Sequence, residues 1–204
     1  MQEELIVTLD DLRPSCLDGF SFFLEIKKLR PDFKMTCFVT SKWKDKEEED
    51  IIKSPRFQGF ARKNRGWVEF ALHGVNHGSP PEFLEDFASQ KLTIASSFLA
   101  FRSIGLRPAG LKPPGYQMDD NTAGATLGLN YIVSRNNIIF LFKTFDSHLV
   151  KIKKPNSFLE SHIGAPWLDD DIKRPAFQEQ LSQKIRDFKG EFLTVAEWAN
   201  KQSK

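Results

Sequence analysis

The chain has 204 residues, of which 40% are hydrophobic and 27% are charged, so its length and composition predict one globular domain over residues 1–204. Its 29 Lys and Arg and 27 Asp and Glu leave a formal net charge of +2. This near-neutrality excludes a whole-molecule field that would attract nucleic acid or an anionic membrane. We therefore expect no nucleic-acid partner.

The N-terminus and the apolar pattern argue against export and membrane insertion. The segment MQEELIVTLDD has acidic residues where a signal peptide carries positive charge. No apolar run approaches the roughly 18 residues that a membrane span needs. Cys16 and Cys37 match neither a disulfide framework nor a zinc-ribbon spacing. We expect a cytoplasmic protein with two reduced thiols and no membrane span, unless a leader peptide has been removed.

Segments with strand and helix character alternate along the chain. Short apolar runs rich in Phe, Val and Ile predict strands, and longer segments with apolar residues at steps of three and four predict helices. The predicted strands are residues 5–7, 35–39, 67–72, 131–133, 138–142 and 192–195. The predicted helices are residues 17–29, 46–53, 81–104, 121–128, 176–188 and 196–201. This order implies parallel strands joined by crossovers, in a barrel or an open sheet. We assign Trp43 and Trp198 to packing.

Three of the four histidines follow predicted strands, where parallel α/β folds assemble their sites. The first strand leads into Asp10 and Asp11, and the third leads into His73 and His77. A later apolar segment leads into His162. These strand ends are the candidate functional positions.

Adjacent aspartates at a strand end can divide two tasks between them. Because side chains alternate in direction, a loop can turn one carboxylate onto a metal while the other faces a water. The same pair can also cap a helix or lie in a solvated loop. The residues by themselves leave both interpretations of Asp10 and Asp11 open.

The spacing of His73 and His77 favours a metal site, because chance would give only roughly 0.08 such pairs in a chain with this few histidines. Gly74, Gly78 and the prolines that follow predict a loop around the ion, not a helix. Two imidazoles and a carboxylate suit Zn²⁺ or a similar divalent ion with open positions for water and substrate. His162 is either structural or catalytic.

These motifs resemble those of the polysaccharide deacetylases, the NodB-homology or family 4 carbohydrate esterases. Residues 8–11, TLDD, resemble the T-F-D-D motif, and residues 73–77, HGVNH, resemble H-[ST]-x-x-H. Residues 112–115, KPPG, are a partial counterpart of R-x-P-Y. Residues 159–162, LESH, resemble L-x-H with one extra residue.

The resemblance implies a distorted (β/α)7 barrel of TIM-like architecture that holds a divalent metal. Asp11, His73 and His77 would bind the metal, with Zn²⁺ expected first and Co²⁺, Ni²⁺ or Mn²⁺ as alternatives. Asp10 would take a proton from the water that the metal activates, and His162 would protonate the departing amine. The resemblance therefore implies a metal-dependent deacetylase.

The residues expected to bind the substrate depart from the family pattern. Lys112 replaces the arginine that steadies the catalytic aspartate, and a lysine cannot make the same forked contact. Gly115 replaces the tyrosine, with Tyr116 one step later, and one of these two would supply the backbone donor for the oxyanion. Pro114 belongs to the same substrate-binding segment. Trp167 either walls a sugar-binding groove or packs over a barrel end.

The fourth motif of the family, an Asp-containing stretch ending in Trp, has no counterpart here. Residues 134–137, SRNN, occupy its expected place. Asp146 or His148 could take over the tuning of His162.

The function expected from this pattern is hydrolysis of an N-acetyl or other N-acyl group on an amino sugar or related small molecule. An intracellular sugar, nucleotide-sugar or glycolipid precursor is favoured as substrate. Two alternatives stay open: a sugar-binding or interaction protein that has lost catalysis on the same barrel, and a hydrolase of another C–N bond or of an ester.

Overall fold

Nine strands form one curled sheet in the computed structural model of the chain, which describes residues 3–126, 128–141, 150–155, 157–163 and 174–202. The strands are β1 (Glu4–Leu12), β2 (Met35–Val39), β3 (Val68–Leu72), β4 (Gly110–Leu111), β5 (Tyr131–Val133), β6 (Asn137–Phe140), β7 (Val150–Lys153), β8 (Phe158–His162) and β9 (Glu191–Leu193). Their spatial order is β7-β6-β5-β4-β3-β2-β1-β8, and β9 pairs with the first residues of β1. The sheet curls into a half-barrel, which confirms the predicted α/β distorted-barrel class.

The prediction of parallel strands holds for most of the sheet and is wrong at one edge. β5 pairs antiparallel with β6, and β6 pairs antiparallel with β7. The backbone N–H of Ser134 donates to the Asn137 carbonyl at 2.9 Å, so a tight turn joins β5 to β6. Such a turn is far too short for a crossover, and it therefore reverses the chain. It also occupies the place where the fourth family motif was expected.

Six described helices accompany the sheet. They are α1 (Ser21–Leu29), α2 (Pro55–Asn64), α3 (Phe87–Ser103), α4 (Asp120–Ala125), α5 (Pro175–Asp187) and α6 (Val195–Gln202). The helix predicted at 46–53 is wrong, because that segment contains only a short 3₁₀ turn, Glu47–Glu49. The helix begins instead after Ser54, whose hydroxyl accepts a hydrogen bond from the Phe57 N–H while Pro55 occupies the first helical position. This cap and proline were the available signal.

The two faces of the sheet pack into two separate hydrophobic cores. On β1, Leu5 belongs to the core beneath the outer helices and Ile6 belongs to the core on the concave face. The concave core includes Tyr131 and, from α6, the 4% exposed Trp198, which confirms its packing role. Helix α6 therefore fills the amino-terminal end of the half-barrel, and the functional residues lie at the opposite end.

None of the described helices is long and apolar enough to cross a membrane. Both cysteines, Cys16 and Cys37, are buried thiols.

Candidate active site

Asp10 and Asp11 both reach the site because β1 is irregular at its carboxyl end. In a regular strand, neighbouring side chains would point to opposite faces. Here the pairing of β1 with β2 shifts register between Leu9 and Leu12, and Asp11 has φ 64°, in the left-handed region. A non-glycine residue in that region costs on the order of 1–3 kcal/mol and persists where its surroundings demand it. The irregularity turns the Asp11 carboxylate toward the two histidines.

Asp11, His73 and His77 converge on one point. The Asp11 Oδ1 lies 3.4 Å from His73 Nε2 and 3.3 Å from His77 Nε2. One ligand atom from each of the three residues lies within 4.8 Å of the others. Among the described residues, no hydrogen bond reaches the buried Asp11 Oδ1. A buried carboxylate oxygen facing two ring nitrogens fits a divalent metal, and this donor set suits Zn²⁺ and related ions.

The His73 ring is oriented by the backbone of the next strand. Its Nδ1 lies 2.6 Å from the carbonyl oxygen of Lys112. Because a carbonyl only accepts, Nδ1 carries the proton and Nε2 keeps its lone pair for the metal. The contact therefore sets both the tautomer and the direction of this ligand.

A carboxylate that the sequence analysis did not single out shapes the loop carrying His77. Glu82 accepts hydrogen bonds from the backbone N–H groups of Val75 at 2.9 Å, Asn76 at 2.9 Å and His77 at 3.2 Å. Gly74 has φ 81°, and a Cβ there would overlap the Glu82 carboxylate. Glu82 thus holds the loop that presents the second histidine, and the adjacent glycine-rich loop was the only sequence signal for it.

Trp43 and Arg13 support His77 from the side. The Trp43 ring centroid lies 4.6 Å from that of His77, and the Arg13 guanidinium lies 4.1 Å from the Trp43 centroid. Arg13 also donates from Nη1 to the Asp11 carbonyl at 3.1 Å. Trp43 is buried, as its predicted packing role requires, and what it packs against is a candidate metal ligand. Burial lowers the pKa of His77, and the nearby His73 lowers it further, so the neutral form that binds metals is favoured.

Asp10 lies between a lysine and a histidine. Its Oδ2 is 2.5 Å from Lys112 Nζ and 3.3 Å from His162 Nε2. Burial alone would raise the pKa of Asp10, but the Lys112 ammonium and the hydrogen bond with His162 hold it well below its usual range. In turn, the hydrogen bond with Asp10 raises the pKa of His162. The second oxygen, Asp10 Oδ1, is buried and has no hydrogen-bond partner among the described residues.

Lys112 also contacts a second carboxylate that the sequence analysis passed over. Its Nζ donates to Glu160 Oε1 at 2.7 Å, and the Lys112 side chain is 1% exposed. The Tyr116 hydroxyl donates to the same Glu160 oxygen, and Lys154 Nζ lies 3.1 Å from it. Lys112, which the sequence placed among the substrate-binding residues, thus contacts Asp10 and Glu160.

Pro114 and Gly115 line a cleft of about 650 Å³ beside His77. The turn Pro114–Tyr116 that carries them has two left-handed residues, Gly115 at φ 59° and Tyr116 at φ 60°. Three other residues named from the sequence, Trp167, Asp146 and His148, lie outside the described residues.

Neither a family model nor a curated protein matches this sequence. Solved structures, in contrast, are similar to the chain over almost its full length. A family 4 acetyl xylan esterase from Clostridium thermocellum in complex with a cobalt ion has a TM-score of 0.67 at 12% identity, covering 98% of this chain and 92% of that one. The peptidoglycan deacetylase PdaC from Bacillus subtilis has a TM-score of 0.62 at 15% identity, covering 99% and 93%.

The chain has the fold of the family 4 carbohydrate esterases. A third structure, the 4-alpha-glucanotransferase from Thermococcus litoralis, has a TM-score of 0.68 at 11% identity, but this chain covers only 40% of it. At these identities the likeness concerns the fold. It confirms the architecture that the motif resemblance implied.

Proposed function

We propose that this protein is a metal-dependent deacetylase that removes an N-acetyl group from an amino sugar or a related carbohydrate. One observation carries the proposal: the convergence of Asp11, His73 and His77 beside the paired Asp10 and His162. The fold supports it, since structures named as an acetyl xylan esterase and a peptidoglycan deacetylase share that fold.

The metal is the first element of this proposal. Asp11, His73 and His77 would hold it, and the buried Asp11 Oδ1 without a hydrogen-bond partner in the described chain supports this assignment. When bound, such a metal lowers the pKa of a water molecule toward about 7 and polarises a carbonyl group. We expect Zn²⁺ first, with Co²⁺, Ni²⁺ or Mn²⁺ as alternatives.

Asp10 and His162 divide the proton transfers. Lys112 and His162 engage Oδ2 of Asp10, which leaves Oδ1 to accept a proton from the attacking water. His162, whose pKa is raised by its hydrogen bond with Asp10, holds a proton for the departing amine. The two residues lie opposite each other in the register of β1 and β8, so both act from the concave face of the sheet.

The oxyanion of the reaction needs a backbone donor, and the turn Pro114–Tyr116 offers two. The N–H of Tyr116 already donates to the Pro113 carbonyl at 3.0 Å. We therefore favour the N–H of Gly115, which lies on the cleft wall.

The cleft supports a carbohydrate as the substrate. Its lining includes the polar side chains of Lys44, Asp45, Asn76 and Gln117. Charged and amide groups spread along a cleft suit a ligand rich in hydroxyl groups.

An acetate-release screen tests the proposal. Metal-loaded and chelator-stripped protein would be assayed on acetylated amino sugars, acetylated oligosaccharides, acetyl esters and cyclic amides. We expect acetate from an N-acetyl sugar with the metal-loaded protein only. Full activity of the stripped protein would refute the metal mechanism, and preference for an ester or cyclic amide would assign another bond. Binding of a sugar without acetate release would favour a non-catalytic protein.

A further inference from the structure

Glu160 is a carboxylate near the site that the proposed reaction does not use. It lies on β8 two residues before His162, so both side chains point to the concave face. Its Oε1 accepts hydrogen bonds from Lys112 Nζ at 2.7 Å, from Lys154 Nζ at 3.1 Å and from the Tyr116 hydroxyl. Donors from three separate parts of the chain therefore meet at one oxygen.

Lys112 needs such a partner for a physical reason. An ammonium group at the end of a flexible four-carbon chain is a point charge, so alone it cannot fix a carboxylate as a forked guanidinium does. The structure places Lys112 Nζ between two carboxylates, 2.5 Å from Asp10 Oδ2 and 2.7 Å from Glu160 Oε1. The ammonium also lies 4.5 Å from the Tyr116 ring centroid. Opposed contacts on both sides restrict it to one position.

Two carboxylates and two ammonium groups meet in this cluster. Asp10 and Glu160 carry two negative charges, and Lys112 and Lys154 carry two positive charges. The Lys154 side chain is only 10% exposed, and its ammonium lies 4.5 Å from the Tyr116 ring centroid and 4.9 Å from that of Phe158. Because charges removed from water are costly unless they are paired, the Lys154 ammonium stabilises the half-buried Glu160 carboxylate.

We propose that Glu160 is a positioning residue that holds the Lys112 ammonium against Asp10 and thereby fixes the orientation of the catalytic carboxylate. Lys112 and Glu160 together would take the place of the arginine that the motif resemblance implies. The inference rests on the proposed function, in which Asp10 is the base.

The first test is Glu160→Gln, which keeps the shape and removes the charge. We expect kcat for acetate release to fall about 10- to 100-fold through misorientation of Asp10, while KM stays within about 2-fold. The metal affinity, measured by titration with Zn²⁺ alone, should not change, because Glu160 touches none of the candidate ligands. Glu191→Gln is the matched control, because that half-exposed carboxylate pairs with Lys201 at the far end of β1. A loss of kcat below 2-fold in Glu160→Gln would overturn the proposal.

A rescue experiment separates positioning from a structural role. With Lys112→Arg in the background, the rigid planar guanidinium can hold Asp10 Oδ2 without a second carboxylate beside it, so Glu160→Gln should now lower kcat less than about 3-fold. An equal loss in both backgrounds would contradict the proposal. If Lys112→Arg does not fold, Lys112→Met takes its place: the losses from Lys112→Met and Glu160→Gln should then fail to multiply, and independent losses would contradict the proposal.

A spectroscopic measurement keeps the inference separate from the proposed reaction. If wild-type protein releases acetate from no substrate, the proposed function fails, yet the Nζ signal of Lys112 in ¹⁵N NMR spectra still reports its position. We expect a sharp, slowly exchanging ammonium signal in the wild type and in Glu191→Gln, and loss of that signal by fast exchange in Glu160→Gln. An unchanged signal in Glu160→Gln would overturn the positioning role.

Discussion

Carboxylates lie at both ends of the half-barrel, but their hydrogen bonding differs. At the amino-terminal end, Glu69 accepts from the Tyr131 hydroxyl at 2.8 Å, the Thr36 hydroxyl at 2.8 Å and the Ala196 N–H at 3.0 Å. At the carboxyl end, Asp10 and Asp11 each keep one buried oxygen without a hydrogen-bond partner in the described part of the chain. A satisfied carboxylate joins elements together, whereas an unsatisfied one indicates a ligand that completes it.

The backbone shows the same contrast. Among the described residues, the non-glycine positions with positive φ are Asp11, Lys44, Asp45, His77 and Tyr116. Two of them are candidate metal ligands, and the others lie in loops around the cleft. Each such position costs on the order of 1–3 kcal/mol. Strain is therefore concentrated at the carboxyl end, where the site is, and the amino-terminal end is built from regular strands and a helix.

The largest expected effect comes from removing a metal ligand. His73→Ala deletes one of two ring nitrogens that face Asp11, so bound metal and acetate release should both be lost. Elemental analysis and the acetate assay check this together. Retention of a full metal equivalent together with activity would show that the ligand set is wrong.

Asp10→Asn should separate chemistry from metal binding. The amide cannot take a proton from water, so kcat should fall roughly 10²- to 10⁴-fold, while the metal content stays at that of wild type. Steady-state kinetics on the metal-loaded variant measure the loss. Turnover close to wild type would show that Asp10 is not the base.

Glu82→Gln probes the hydrogen-bonded carboxylate at the functional end. Its acceptor oxygens hold three N–H groups of the His77 loop, so the amide should weaken metal affinity about 10-fold, as changes behind metal ligands do. Titration with Zn²⁺ measures this affinity. The matched variant is Glu69→Gln, whose metal affinity should equal that of wild type; equal weakening in both would mean that the two ends are not separable.

Glu69→Ala should lower stability without touching the chemistry. It leaves the hydroxyls of the buried Tyr131 and Thr36, and the half-buried Ala196 N–H, without their acceptor, a loss of about 1–3 kcal/mol in the free energy of unfolding. Urea denaturation measures it. Values of kcat and metal affinity per folded molecule should not change, and a fall in either would place the amino-terminal end within the functional unit.

The smallest effect is a pH dependence of stability. Burial raises the pKa of Glu69 above its ordinary 4.5, although the hydrogen bonds it accepts oppose the shift. The folded state therefore binds a proton more tightly than the unfolded chain, so this contribution is complete below pH 4.5 and is lost as the pH rises through the raised pKa. Unfolding free energies of wild type and Glu69→Gln should differ most in favour of wild type at low pH. A difference that grows with pH would show that folding lowers the pKa of Glu69 instead of raising it.

The sequence was sufficient to predict those parts of the architecture that local pattern decides. Most strands and the long helix α3 follow from hydrophobic runs and spacing. The helix placed at 46–53 was wrong because its charged residues carried no apolar periodicity, while the cap at Ser54 marked the real start. The antiparallel edge was missed because a short turn after Val133, not the strand sequence, sets its direction.

The partners of the site residues could not be predicted from the sequence, because they are distant in the chain. Lys112 lies 102 positions from Asp10 and 48 from Glu160, and nothing local in the sequence joins them. Arg13 and Trp43 reach His77 only through the folding of separate loops.

By itself, the sequence determined the chemistry available at the site: two imidazoles, paired aspartates and a third histidine, each at the end of a strand. This was possible because strand ends and short loops are set by local pattern. Only the tertiary structure decided how those groups divide the work. A register shift in β1 turned Asp11 toward the histidines. The register of β1 with β8 placed Glu160 near Asp10, and the curl of the sheet brought Lys112, at the end of β4, against both carboxylates. Contacts of that kind depend on sheet register, which a linear sequence does not display.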